Sequence, residues 1–558
     1  MAKKRTIGLM GATAAMMVAL TGCATMAAGP THAQDASSAS ALKTAIANEK
    51  PLVMLPSPVG NYADNFSPYV SNPSYTGQAG LIYQPLVYFD EIATKPTYLL
   101  ATSYKVEDGG KTVVVNLRHG VKWSDGTNFT SADVAFTLNY MHKYPDIDSN
   151  GVWSSLGSVS VDGPYTVVLH YKKVNIPAIN FALSSYILPE HIWSKVKGDP
   201  AKAVITKPVG TGPYIMTHFT PEAITYKANM HYYLGVSDVR TVEIPAFSSN
   251  TSADLALAKD QVQWSGIFIP SIQQVYTSKN ASNHYWFPAA NVATLYPNLK
   301  VAGLNNLAVR QAINLVIDRA QLGNEGEYGY SAPATQNNMI PSYDKWAAPG
   351  LNTVVNPNVA KAQQILQKAG YKKDANGIFA KGGKELTFTV QVPAGWTDWD
   401  EDVQLLTQSA TQAGIKLVPA VISQAEYFSN LFGATHNYQL IMSWTNEGPS
   451  PFYQYDYELY SKGSFNVEQL KNAQVDQAIN TLTTTTSAAV EHKELNFLQK
   501  YTATQLPVIP LFYGPFWDEY STSQYTGWPT QANPYISPSP YTGVAQSVVL
   551  MHLKPVVK

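Results

Sequence analysis

Cysteine is nearly missing from this chain of 558 residues, which has one, Cys23. A single thiol closes no intramolecular disulfide and builds no cysteine metal site, so stability has to come from burial. Charge is sparse as well. Only 14% of residues are charged, and 38 Lys and Arg against 39 Asp and Glu leave a formal net charge of -1. No basic stripe stands out, which argues against a nucleic-acid partner. After the first 22 residues no long apolar run occurs, so no further membrane span is expected. Signatures of catalysis are missing too: there is no Gly-x-Ser-x-Gly elbow, no His-Glu-x-x-His pair and no Walker A loop. The 11 His are dispersed, with no spacing that suggests a transition-metal site. A lone His such as His436 is more often a surface or core residue than a ligand.

What is present begins at the N-terminus. Lys3, Lys4 and Arg5 precede an apolar, small-residue run over 7–19, and Leu20-Thr21-Gly22-Cys23 closes it. A basic head, a short apolar core and a small-residue junction make a secretory signal peptide. The core falls short of the about 20 residues that a spanning helix needs. The Leu-x-Gly-Cys ending resembles a bacterial lipobox, in which the cysteine is acylated and becomes the first mature residue; the alternative is an ordinary signal with a chance cysteine. The expectation is a signal peptide over 1–22, a lipid on Cys23, and an Ala/Ser/Thr-rich flexible tether over 23–48. The remainder is then exported, extracytoplasmic at the cell surface or in the periplasm, and anchored to the cell membrane.

The length, with 45% hydrophobic residues, supports two or three domains, because one core stops growing near ~250–300 residues. Residues 51–56 read as a first buried strand. Residues 98–107 and 112–117 alternate like paired strands joined by the turn Asp108-Gly109-Gly110, and 161–171 is a further strand pair. Thr130 is placed to cap a helix, with Asp133 three residues on reaching back to it or favouring the helix dipole. Gly210-Thr211-Gly212-Pro213 reads as a turn whose glycines permit positive φ. Residues 309–319 form an amphipathic helix with Val309, Ala312, Ile313, Val316 and Ile317 on one face. A strand over 386–392, a helix over 405–413 stopped by Gly414 and a strand over 415–418 make a βαβ unit on a largely parallel sheet.

Several of these stretches carry a resemblance. Leu117-Arg118-x-Gly120-Val121-x-Trp123-Ser124-Asp125-Gly126, followed by Phe129-Thr130-x-x-Asp133-Val134, resembles the signature of the family 5 extracellular solute-binding proteins. Pro208 to Tyr214, then Val309-Arg310-Gln311-Ala312-Ile313 with Ile317-Asp318-Arg319, then Ile365-Leu366 with Ala369-Gly370-Tyr371, are similar to further hallmarks, in the family's order. These proteins are the oligopeptide, dipeptide, nickel and oligosaccharide receptors of ABC importers. The resemblance implies an α/β, periplasmic-binding-protein type II-like fold: two lobes, a hinge of two crossings and an extra β-rich domain. It implies a discontinuous first lobe (49–87, 207–298 and 507–558), the β-rich domain over 88–206 and a second lobe over 299–506. The expected partners are an oligopeptide or oligosaccharide and the ABC transporter permease subunits. The expected state is a monomer with no cofactor, no metal and no enzymatic activity.

Candidate ligand contacts follow from where open α/β sheets bind, beyond the C-terminal ends of strands. Trp396 and Trp399 leave one second-lobe strand, and Trp444, Asn446 and Glu447 leave another. In peptide-binding members of the family an acid three residues after the equivalent Trp pairs with the ligand's α-ammonium, and Glu447 falls there; its plainer reading is a turn acid beside Gly448-Pro449. The C-terminal stretch Phe512-Tyr513-Gly514-Pro515-x-Trp517, with Gly527-Trp528-Pro529 and Asn533-Pro534-Tyr535, resembles the oligosaccharide-binding branch, cellobiose-type receptors included. Sugars stack on indole faces, so Trp264, Trp396, Trp399, Trp444 and Trp517 are candidate platforms, with Asn65, Gln84 and Asn446 as polar partners and Tyr513 as a further candidate ligand contact. Trp528 reads as lobe packing. Oligopeptide is the first expectation and gluco-oligosaccharide the second. A lipid-anchored secreted hydrolase is the alternative of another class, its carboxylates drawn from Asp398, Asp400, Glu401 and Asp402. The plainer reading of that cluster is an acid-rich helix N-terminus. Residues Asp146, Asp148, Asn150 and Gly151 match half of a calcium loop, but Gly157 stands where a bidentate Glu is required.

Overall fold

The computed structural model describes residues 50–69, 76–93, 95–433, 435–445, 448–463 and 465–557. The signal, Cys23 and the tether therefore lie outside the described residues, as do Asn446 and Glu447. No helix among the described residues is long and apolar enough to cross a membrane.

Two large sheets carry the structure. The first runs, in order, Asn283–Tyr285, Glu519–Ser521, Trp264–Ser265, Leu52–Leu55, Thr241–Pro245, Ala223–Ala228, Tyr214–Thr220. Leu52–Leu55 is parallel to both of its neighbours, and the strands outside these pair antiparallel. The second sheet runs Lys416–Ile422, Thr387–Pro393, Leu440–Trp444, Ala289–Pro297, Ile509–Pro515. Thr387–Pro393 is parallel to the strands on either side of it, joined to Lys416–Ile422 by the helix Thr397–Ala413. This is a βαβ unit, and its helix begins earlier than the periodicity alone suggests. The other half of the sheet is antiparallel, so the sheet is mixed.

The lobe boundaries fall elsewhere than the sequence suggests. Ala289–Pro297 and Ile509–Pro515 belong to the second sheet, not the first, and pair with each other. The chain crosses between sheets just before the former and just after the latter. These two crossings lie side by side: the Trp286 amide donates to the Asp518 carbonyl at 3.0 Å, and the Phe516 amide to the Pro288 carbonyl at 2.8 Å. The apolar interior divides accordingly, one cluster around Leu52, Tyr83 and Trp264 and another around Leu295, Val390 and Leu440.

A third sheet, antiparallel, orders Ala101–Glu107, Thr112–Leu117, Thr166–Tyr171, Leu156–Val161. Its alternation puts Val113, Val115, Val167 and Leu169 inside. The helix Ser131–Lys143 covers it, and Thr130 and Asp133 make a reciprocal capping box, with the Thr130 amide 2.9 Å from Asp133 Oδ2. Nearby, Asp148 accepts the amides of Val152 and Trp153 at 2.8 and 2.9 Å, which closes a turn.

Two other expectations change. Gly210 and Gly212 do not take positive φ. They are glycines because the chain passes close against residues 81–82: a Cβ on Gly212 would lie 2.1 Å from the Leu81 carbonyl oxygen. The helix expected over 309–319 ends at Val316, and Ile317 is extended. Asp318 then caps a separate turn, Arg319–Gln321, accepting the Gln321 amide at 3.0 Å.

Candidate functional site

Strands of both sheets end at one cavity of about 310 Å³. From the first sheet, Pro56, Ser57 and Pro58 continue Leu52–Leu55, and Gly266, Ile267 and Phe268 continue Trp264–Ser265. From the second, Gly395 and Trp396 follow Thr387–Pro393, and Trp444 ends its own strand. The parallel strands thus open toward the same space, where carboxyl-end loops have room to diverge. Asn291 and Gly514 line it from the two antiparallel strands, and Trp517 lines it from the return crossing.

The indoles are grouped. Trp396 stands edge-on to Trp399 at 5.0 Å between centroids, and tilts by 35° against Trp444 at 5.7 Å. Trp399 and Trp444 are 6.1 Å apart. Trp517 packs edge-on against Phe268 at 5.4 Å and Phe287 at 4.9 Å. These ring edges and faces form rigid apolar surface with few rotatable bonds, suited to a cleft that has to keep its shape.

Four of the sequence candidates, Trp396, Trp399, Trp444 and Trp517, are brought together here. The other described candidates are not. Trp264 is fully buried on a central strand, where its indole donates to Asp518 Oδ1 at 2.9 Å and its ring packs on Trp528. Gln84 is fully buried, and its amide donates to Tyr232 at 2.9 Å and accepts from Tyr233 at 2.5 Å. Asn65 ties its own loop to a distant one, donating to the Ala203 carbonyl and accepting the amides of Ser67 and Ile205. Tyr513 shares a strand with Phe512 and Gly514, which line the cavity, but its hydroxyl meets Thr335 at 3.0 Å instead.

The sequence reading missed Phe268 and Glu327. Phe268 follows a strand end as Trp444 does, a signal the two-residue strand before it obscures. Glu327 carries no local signal. It follows the turn Leu322–Gly326 and is brought to the cavity by packing against the helix Thr397–Ala413. Gly326 permits that approach, since a Cβ there would lie 1.9 Å from Asp402 Oδ1.

The site is acidic. Glu327 and Asp398 line it, and no Lys, Arg or His does among the described residues. Ser331 donates to Glu327 Oε2 at 3.1 Å, while Glu327 Oε1 meets no donor other than the Asp402 carboxyl. Burial pushes the Glu327 carboxyl well above the usual range, helped by the charge of Asp398. Asp402 lies behind it, carboxyl to carboxyl, raised by burial and then by Glu327. Burial also raises Asp398, though backbone amides at the start of its helix hold it back.

Comparison with known proteins places this geometry. Residues 95–466 match the model for bacterial extracellular solute-binding proteins, family 5 middle region. Protein XP55 of Streptomyces lividans is 27% identical over 338 residues, a match that spans 59% of this chain and 59% of that protein. The oligopeptide-binding protein AppA of Bacillus subtilis is 24% identical over 466 residues, covering 80% of this chain and 83% of that one. A solved structure of a periplasmic oligopeptide-binding protein of an ABC transporter from Thermotoga maritima superposes with a TM-score of 0.85 at 24% identity, covering 91% of this chain and 99% of that one. The same protein with mannohexaose bound gives a TM-score of 0.80. The chain belongs to the bacterial extracellular solute-binding proteins of family 5.

Proposed function

We propose that this protein captures oligopeptides outside the cytoplasm and delivers them to the permease of an ABC importer, held near that permease by a lipid on Cys23. Family 5 solute-binding proteins are extracytoplasmic transport receptors. The observation that carries the reading is the placement of the cavity: its walls come from both sheets, and the chain crosses between those sheets twice, side by side. A ligand that touches both walls favours the closed arrangement over the open one, and hinge closure is then the response to binding. The receptor makes and breaks no bond. Anchoring raises its effective concentration at the permease, so modest affinity between the two suffices.

A second reading, oligosaccharide capture, is favoured by the grouped indoles and by the mannohexaose bound to the Thermotoga relative. Thermal melting and small-angle scattering with a panel of short peptides and gluco-oligosaccharides test both. Binding raises the melting temperature and shrinks the radius of gyration, and Trp444→Ala reduces both effects. If no member of either class moves them, the receptor reading fails. Turnover of any labelled probe supports the hydrolase alternative instead.

A further inference from the structure

Among the described residues Glu327 has no counter-charge. It is 1% exposed and lines the cavity, and its second carboxyl oxygen meets no donor other than the Asp402 carboxyl with which Glu327 pairs. The charged and titratable groups around it come from three elements. The helix Thr397–Ala413 presents Asp398, Asp400, Glu401 and Asp402, all acids. The preceding turn carries Arg319, but its guanidinium is held by the carbonyls of Asn314, Val355 and Pro510. The strand Ile509–Pro515 carries Tyr513, whose hydroxyl meets Thr335. Glu447 lies outside the described residues.

A ligand for this wall has to suit both the acids and the rings. An anion meets two carboxyls and no Lys, Arg or His among the described residues. A neutral sugar satisfies the indoles and offers hydroxyls to the carboxyls, but brings no charge to balance them when ionised. A cation satisfies both, because aromatic faces attract positive charge and a carboxylate pairs with it in a charge-assisted bond. The cluster of Trp396, Trp399 and Trp444 stands beside Asp398 at the head of the same helix.

We propose that the cleft takes its ligand through a cationic group, an ammonium or guanidinium, held between these three tryptophans and the carboxyls of Glu327 and Asp398. The proposal rests on the receptor reading above and names the chemistry of its ligand. It places the recognised charge where the turn bearing Glu327 meets the head of the helix Thr397–Ala413. A linked proton follows. Burial keeps Glu327 largely protonated in the free protein at neutral pH, and an incoming cation favours the ionised form, so binding expels a proton. Affinity for a cationic ligand therefore rises with pH from 5 to 8.

Isothermal titration calorimetry at pH 7 in phosphate and in Tris, with four probes, tests this. Trialanine offers an α-ammonium, N-acetyl-Ala-Lys-Ala a side-chain ammonium, N-acetyltrialanine neither, and cellotriose none. One of the first two should bind at least about tenfold tighter than the last two and release close to one proton. Which of the two does so identifies the source of the cation. E327Q should weaken that probe by about tenfold or more and abolish proton release. D398N, which keeps the side chain's size and removes its charge, should weaken it by several-fold. Equal binding of N-acetyltrialanine or cellotriose, without proton release and unchanged in both variants, overturns the cation assignment and leaves the receptor reading standing. No binding by any probe at millimolar concentration overturns the receptor reading and this proposal with it.

Discussion

Arg319 donates from Nε to the carbonyl oxygen of Pro510 at 2.8 Å, across 191 residues of sequence. Its remaining donors reach the carbonyls of Asn314 and Val355, both at 3.2 Å, and Asn314 Oδ1 at 2.5 Å. Arg310 does the same one helix earlier, holding the carbonyls of Leu506, Leu304 and Gln505 at 2.9, 2.7 and 2.8 Å. Neither guanidinium meets a carboxylate among the described residues. Burial alone pushes Arg319 down to about 10, where it is still charged at neutral pH. The two arginines tie the helix Leu307–Val316 to the chain returning toward the crossing.

Lysine keeps the charge at these positions but loses the planar fork that serves several carbonyls at once. R319K should therefore cost about 3 kcal/mol and R310K about 2, because buried carbonyls lose donors and the ammonium is left poorly solvated. Urea denaturation checks both. Losses below about 0.5 kcal/mol would show that water replaces the clamps at little cost.

Gly212 and Gly126 separate two reasons for glycine. Gly126 has φ of +91° with open space where a Cβ would go, whereas Gly212 lacks positive φ and faces the Leu81 carbonyl. G126A should cost about 1–2 kcal/mol from backbone strain. G212A has to push two backbone segments apart and should cost more, about 3 kcal/mol or above, or fail to accumulate. The opposite order in melting experiments would mean that the 81–82 segment yields easily.

This contrast also marks how far the sequence carries. The capping box at Thr130, the strand pair around Asp108-Gly109-Gly110 and the helix stopped by Gly414 depend on neighbours a few residues apart, so local patterning exposes them. Trp396, Trp399 and Trp444 were legible because they follow strands with clear alternation. Gln84 and Trp264 were misread because a buried amide or indole looks the same in sequence whether it faces a ligand, Tyr232 or Asp518. Glu327 was invisible because only packing against Asp402 brings it to the cleft. The lobe boundary at Ala289–Pro297 was hidden for the same reason: its partners Trp444 and Phe512 are remote in sequence.

Glu458 gives a pH dependence of known sign. It is fully buried, accepts from Tyr296 and from Asn338 Nδ2 at 2.9 Å, and burial raises it to about 7. An unfolded Glu titrates near about 4.3. A raised carboxyl binds its proton more tightly in the native state, so its contribution is fully present below about 4.3 and is lost as pH rises through about 7. E458Q lacks this titration. The stability of the wild type relative to E458Q should thus fall between pH 4.5 and 7.5, by roughly 3 kcal/mol. Urea melts of both proteins at the two pH values measure it, and a constant gap would show that Glu458 ionises alike in both states.

Closure can be weakened without touching the cavity. Tyr330 places its hydroxyl between the Ile272 amide, which donates to it at 2.8 Å, and the Ile269 carbonyl, which accepts from it at 3.1 Å. Tyr453 accepts from Asn180 Nδ2 at 2.7 Å, with its ring edge-on to Phe181 at 5.4 Å. Each hydroxyl joins the segment between the crossings to residues before the first crossing, and neither tyrosine lines the cavity. Y330F and Y453F keep the rings and remove one polar atom each. A hydrogen bond of this kind contributes about 0.5–1.5 kcal/mol, so each variant should raise the ligand Kd by about two- to tenfold. Being separate in the structure, the two effects should multiply in the double variant. Scattering should show the ligand-free double variant more expanded than the wild type, while saturating ligand restores the compact form in both. If Kd and radius of gyration stay at wild-type values in the double variant, the lobes are held by the crossings and the ligand alone, and these contacts are packing that accompanies closure without favouring it.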